Sequence, residues 1–119
     1  MADCLFCRIV EGKVPANVVY RDAHCIGFDD IHPAAPVHVL FIPKRHLEGV
    51  NTLTEADRAE AGQLFLAAAA YARQRGLEAS GYRVVANVGP DSGQSVFHLH
   101  LHLLGGKPLH LNADTGRGD

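Results

Sequence analysis

The sequence has no apolar run near the ~20 residues that a membrane-spanning helix needs. Its first residues, Met1-Ala2-Asp3-Cys4, lack the basic region and apolar stretch of a secretory signal. Positive charge is not in excess: 11 Lys and Arg stand against 13 Asp and Glu, a formal net charge of −2. The basic residues are scattered, which excludes a broad basic face for a nucleic-acid backbone. Three cysteines, Cys4, Cys7 and Cys25, are an odd set in what reads as a reducing compartment, which argues against a disulfide framework. No repeat, low-complexity tract or linker is visible. These absences predict a cytoplasmic protein without membrane or nucleic-acid partners, in which any bound phosphate belongs to a small ligand.

The chain has 119 residues, 47% of them hydrophobic and 20% charged, which suits one globular domain with one site. We assign that domain to residues 1–111 and a flexible, Gly-rich polar tail to 112–119. Leu5, Phe6, Ile9 and Val10 recur at helical spacing after Asp3, predicting a short capped helix over Asp3–Glu11. The β-rich runs Val18–Arg21, Cys25–Phe28 and Val37–Ile42 are separated by turn residues, with Pro43 closing the third. A long helix follows, with Thr54 and Asp57 at its start, an apolar stripe of Ala61, Leu64, Phe65, Ala68 and Ala72, and Gly76 at its end. Tyr82–Asn87 and Phe97–Leu104 complete the strands. The pattern predicts an α+β fold, an antiparallel sheet of about five strands with one short and one long helix.

The chemistry concentrates in His98-Leu99-His100-Leu101-His102. Alternation along a strand puts the three histidines on one face and the leucines on the other. Such a face can ligate a divalent metal, or supply one ring as nucleophile and another as its proton partner. Immediately upstream, Gly93-Gln94-Ser95-Val96 offers backbone N–H groups and a hydroxyl, which suit an anionic oxygen better than a cation. Phosphoryl chemistry is therefore favoured over a three-histidine metal hydrolase. Separately, the pair Cys4 and Cys7 can bind a tetrahedral metal if two further ligands arrive, or can pack as small apolar residues.

The run Gly93-Gln94-Ser95-Val96-Phe97-His98-Leu99-His100-Leu101-His102-Leu103-Leu104-Gly105-Gly106 resembles the motif of the histidine triad (HIT) family, and Gly105-Gly106 is similar to its nucleotide-binding, phosphoramidase-like branch. The resemblance extends over Phe6-Cys7-Arg8-Ile9-Val10, Phe28-Asp29-Asp30-Ile31, Ile42-Pro43-Lys44-Arg45-His46, Gly81-Tyr82-Arg83 and Asn87. It implies that His100 attacks phosphorus to form a nucleotidyl-histidine, with its other nitrogen held by a backbone carbonyl, and that water then releases the monophosphate. His102 and Ser95 would contact the α-phosphate and assist departure of the leaving group. Gly93 and Gln94 would line the phosphate loop, and Asn87 would touch phosphate or ribose. Asp30 would accept from the ribose hydroxyls, and Phe6, Ile9, Phe28, Ile31 and Leu40 would form the base slot, although each of these apolar residues reads equally as plain core.

By the same resemblance, His46 and His98 would join Cys4 and Cys7 around a structural zinc, no cofactor would enter the chemical step, and two copies would pair across the long helix and an edge strand. The implied activity is hydrolysis or nucleotidyl transfer on purine nucleoside phosphoramidates or acyl-nucleotides. A dinucleoside polyphosphate hydrolase or phosphorylase with the same nucleophile and a non-catalytic nucleotide-binding protein are the alternatives. Two departures bear on leaving-group preference: His32 stands where a small polar residue is common, and the tail after His110 lacks a tryptophan found in some members.

Overall fold

The structure, a computed structural model, describes residues 4–110; the expected Asp3 cap and the tail after residue 111 lie outside them. Five strands form one antiparallel sheet: β1 (Val18–Arg21), β2 (Cys25–Asp29), β3 (Val37–Pro43), β4 (Tyr82–Val85) and β5 (Leu101–Gly105), in the order β1-β2-β3-β5-β4. Two helices accompany it, α1 (Leu5–Val10) and α2 (Arg58–Gln74). The α+β architecture is the one the sequence predicts.

Every residue of β3 is buried, because the sheet is covered on both faces. Val37, Val39 and Phe41 point into one core with Leu64, Ala67, Ala68, Tyr71 and Ala72 of α2, and Leu99, Leu101 and Leu103 join them. Leu40 and Ile42 point the other way, into a second core with Phe6, Ile26 and Phe28. Strict alternation along β3 and β5 therefore puts His38 and His102 on the face opposite α2, where Leu40 pairs with His102 and His38 with Leu104.

α2 is entered through a 3-10 turn over Glu55–Asp57, in which Thr54 and Asp57 form a reciprocal capping box. Gly76, at φ +72°, takes the left-handed position that ends the helix. The buried stripe differs from the predicted one: Phe65 is exposed and Ala61 only half-buried, and Ala67 and Tyr71 fill the core beside Leu64, Ala68 and Ala72. The third cysteine is structural. Burial pushes the Cys25 thiol up to about 12, and it packs beside Asp22, which also accepts from the His24 and Cys25 N–H groups, Tyr20 Oη and Gln63 of α2.

Two boundaries shift for physical reasons. α1 is capped by Cys4, whose Sγ accepts from the Cys7 N–H at 3.4 Å. The last strand begins at Leu101, not Phe97: its pairing with β3 runs from Val37–Gly105 only as far as Phe41–Leu101, and the Leu99 N–H donates to the Leu47 carbonyl instead of to the sheet. Among the described residues, no helix is long and apolar enough to cross a membrane.

Gly27 makes the tightest contact at the sheet centre. A Cβ there would lie 2.7 Å from Phe41 Cε1, and the Phe41 ring is itself held between Tyr20 and Tyr71 at centroid distances of 5.8 and 6.1 Å. Gly27→Ala is expected to destabilise the fold by about 1–3 kcal/mol through overpacking, lowering the thermal midpoint by several degrees; an unchanged midpoint would show that Phe41 can move aside.

Candidate active site and metal centre

His98 and His100 lie in the extended segment entering β5, and His102 lies within it. All three are buried, at 0, 3 and 0% exposure. They do not converge on one point. His98 turns toward the cysteines, His102 toward His38, and His100 stands between them, with its ring 5.1 Å from that of His102. Among the described residues, the groups that could hold a metal are Cys4/Cys7/His46/His98 and Asp30/His38/His102, so the three-histidine metal site has no geometric support.

The hydrogen bonds assign the ring protons. His100 Nδ1 lies 2.7 Å from the His98 carbonyl, which can only accept, so Nδ1 carries the proton and Nε2 keeps its lone pair in the neutral ring. That Nε2 is buried and makes no hydrogen bond among the described residues. The Ala34 N–H donates to His38 Nδ1 at 3.0 Å, so the proton of His38 is on Nε2, 2.9 Å from His102 Nδ1 and 3.5 Å from Asp30 Oδ2. His102 Nδ1 is then an acceptor and its proton is on Nε2. Adjacent histidines thus hold opposite tautomers, a base at His100 and a donor at His102.

Sequence reading missed His38. The available signal was a histidine inside the otherwise apolar strand Val37–Pro43, since a buried polar side chain needs a partner.

A cavity of about 470 Å³ opens on the sheet face that carries Phe28 and Leu40. Phe6, Ile9, Phe28, Asp30, Ile31, Leu40 and Ser95 line it together, as do Leu5, Val14, Pro15, Ala16, Asp29, His32 and Val96, which were not singled out. Phe6 meets His100 edge-on at 5.2 Å and Phe28 at 5.4 Å, so the apolar wall runs directly up to the candidate nucleophile. Asp30 is 6% exposed; its Oδ1 accepts from the His32 N–H at 2.8 Å, and its Oδ2 faces His38. Asn87, Gly93, Gln94, His100 and His102 are not among the lining residues. Gln94 is buried and its amide is engaged by the backbone.

The four expected metal ligands do come together, drawn from α1, the segment after β3 and the segment before β5. Cys4 Sγ lies 3.4 Å from His98 Nδ1, and Cys7 Sγ lies 3.3 Å from His46 Nδ1 and 3.6 Å from His98 Nδ1. With Zn–S near 2.3 Å and Zn–N near 2.0–2.1 Å, a tetrahedron requires S···N edges of about 3.5 Å, so the donor set fits zinc. His98 Nε2 donates to the Pro43 carbonyl at 2.9 Å, which turns its unprotonated Nδ1 toward the sulfurs. Burial, followed by the charges of His46 and His100, lowers His98 to about 4 and outweighs the opposing bond to Pro43, so the ring is neutral, as a ligand must be. Burial and then Cys4 push the Cys7 thiol up to about 11; two thiolates side by side need a cation to offset their charge.

A family model described as HIT domain matches residues 11–109. An uncharacterised HIT-like protein of Synechococcus elongatus is 46% identical over 107 residues, 90% of this chain and 93% of its own. The crystal structure of a HIT family hydrolase from Legionella pneumophila superimposes with a TM-score of 0.90 at 42% identity, covering 92% of this chain and 98% of that one. A histidine triad protein from Clostridium difficile does so with a TM-score of 0.91 at 34% identity, covering 95 and 98%.

The tautomers are directly measurable. Long-range nitrogen–proton correlation spectra at neutral pH are expected to show His100 protonated at Nδ1 and His102 at Nε2; the reverse pattern at His100 would leave Nε2 without a lone pair for attack.

Proposed function

The chain belongs to the HIT domain family, and on that premise we propose that it is a nucleotide hydrolase or nucleotidyl transferase that cleaves purine nucleoside phosphoramidates or acyl-nucleotides through a nucleotidyl-His100 intermediate. The observation that carries this reading is His100 itself, with Nδ1–H on the His98 carbonyl, an Nε2 that makes no hydrogen bond among the described residues, and a ring packed edge-on against Phe6 of the wall of a nucleotide-sized apolar cavity. That arrangement is what a neutral imidazole nucleophile needs.

In this mechanism the base enters the slot of Phe6, Ile9, Phe28, Ile31 and Leu40, and Asp30 or its neighbour Asp29 accepts from the ribose hydroxyls. His100 Nε2 attacks the α-phosphorus, a P–Nε2 bond forms, and the bond to the leaving amine or carboxylate breaks. The ring becomes an imidazolium, whose charge the His98 carbonyl stabilises through the Nδ1–H bond. The amine takes the proton of His102 Nε2, whose ring His38 holds in place through its bond to His102 Nδ1, and the water that next attacks phosphorus gives its proton back to His102. Water then cleaves the P–Nε2 bond and releases the monophosphate. Ser95 donates to a phosphate oxygen throughout.

Zinc, where bound, would be held by Cys4, Cys7, His46 and His98 and would serve as a closed structural fastener. Four protein ligands leave no position for water. The same reading includes a homodimer and a cytoplasmic location; Phe65 and Leu66 on α2 and Tyr82 on the edge strand β4 are exposed apolar groups that such a pairing would cover.

The test is release of AMP from adenosine 5′-phosphoramidate. Release is expected to withstand a chelator of free divalent ions, to vanish in His100→Ala, and to fall about 10- to 100-fold in Ser95→Ala, the scale of one hydrogen bond to a charged group. Cleavage of a dinucleoside polyphosphate but not of the phosphoramidate would move the assignment to that substrate class, and tight AMP binding with no turnover of either would make the protein a binder.

A further inference from the structure

The loop that delivers Ser95 consists of a 3-10 turn over Pro90–Ser92 bounded by Gly89 at φ +76° and Gly93 at φ +87°, positions that favour glycine. Its own bonds are local: the Ser92 and Gln94 N–H groups and the Ser92 hydroxyl donate to the Gly89 carbonyl, and the Gly93 N–H to the Pro90 carbonyl. The Gln94 side chain ties it to a segment outside itself. Gln94 is 7% exposed; its Oε1 accepts from the Gly89 N–H at 2.8 Å, and its Nε2 donates to the Glu48 carbonyl at 3.2 Å and the Val96 carbonyl at 3.1 Å. An N–H can only donate and a carbonyl only accept, so a single amide orientation satisfies all three bonds and uses both amide hydrogens.

The three anchor points explain what the clamp does. Gly89 and Val96 are the two ends of the loop, and Glu48 belongs to a different segment, the one that also carries His46 and whose Leu47 carbonyl takes the Leu99 N–H. Gly49 packs on the amide, since a Cβ there would lie 3.7 Å from Gln94 Nε2 and 2.9 Å from Asn51 Oδ1. Ser95, next in sequence, is exposed and lines the cavity. One buried amide therefore ties both ends of the loop, and the run leading to the histidines, to a single support.

We propose that Gln94 is the positioning residue of the phosphate loop: it fixes where the Ser95 hydroxyl and the loop N–H groups meet a phosphate, and does not contact substrate itself. The proposal rests on the nucleotidyl-transfer reading above. A buried amide with every hydrogen used is not available to a ligand, and an apolar residue of the same size would fill the space without setting the loop.

The test compares Gln94→Met, which keeps volume and loses all three bonds, with Ser95→Ala and with the double variant. In Gln94→Met the affinity for adenosine, read by calorimetry, is expected to stay within about twofold of the parent, while the advantage of AMP over adenosine falls about tenfold or more. Ser95→Ala is expected to slow turnover of the parent protein but to add less than about twofold in the Gln94→Met background, because its hydroxyl is already misplaced. Equal losses for adenosine and AMP, or an undiminished Ser95→Ala effect, would overturn the proposal. Should Gln94→Met fail to fold, Gln94→Asn, with the same amide on a stem too short to span the three anchors, takes its place in the same comparison. A parent protein that neither prefers AMP to adenosine nor turns over would remove the phosphate site and the proposal with it, a failure visible before any Gln94 variant is made.

Discussion

The bond from His100 Nδ1–H to the His98 carbonyl is the constraint on which the rest of the site depends. A free imidazole exchanges between tautomers, and only one of them leaves the lone pair on Nε2. A side chain held by the carbonyl two residues before it keeps its orientation only as long as that stretch of backbone keeps its own. Much of the surrounding structure does this: His98 Nε2 is anchored on the Pro43 carbonyl, Leu99 is bonded through its N–H to Leu47 and buried by its side chain in the α2 core, and Phe6 packs edge-on against both His98 and His100.

The three histidines of one motif consequently do three different jobs. His98 turns Nδ1 toward the two cysteines, with the His46 ring 4.9 Å from its own, and is kept neutral by burial. His100 keeps an Nε2 that makes no hydrogen bond among the described residues. His102 accepts from His38 and presents its own proton. Side chains on one strand face would be interchangeable by spacing alone; what separates them here is the partner each finds on a neighbouring segment: α1 for the first, the chain's own backbone for the second and β3 for the third. The short helix α1 links two of these sites, since Cys4 and Cys7 meet His46 and His98 while Leu5, Phe6 and Ile9 wall the cavity. Six residues make no stable helix unaided, so its place is set by these contacts.

Most of the fold was legible in the sequence because it rests on local patterns. The alternation in Val37–Pro43, the capping box at Thr54 and Asp57, and the leucines between the histidines each point to a definite element. The exposed Phe65 was misread because helical periodicity fixes a stripe only to within about one residue in width. The start of β5 was misread because strand length depends on where the backbone bonds go, and the Leu99 N–H goes to Leu47 instead of to β3. The cavity residues on α1, β2 and β3 were identified through the family resemblance, not by pattern alone. What no local pattern carries is the pairing of His38 with His102, or the burial of the Gln94 amide, since both depend on segments more than forty residues apart in sequence.

The central claim is that His100 Nε2 forms a covalent bond to phosphorus. The most direct measurement is peptide mass spectrometry of the protein quenched in base, which preserves phosphorus–nitrogen bonds, during turnover of an adenosine phosphoramidate. The account predicts a nucleoside monophosphate adduct on His100, absent from His100→Ala and unaffected by chelation of free metal. An adduct on another residue, or AMP released into labelled water with no adduct at any time during turnover, would contradict it.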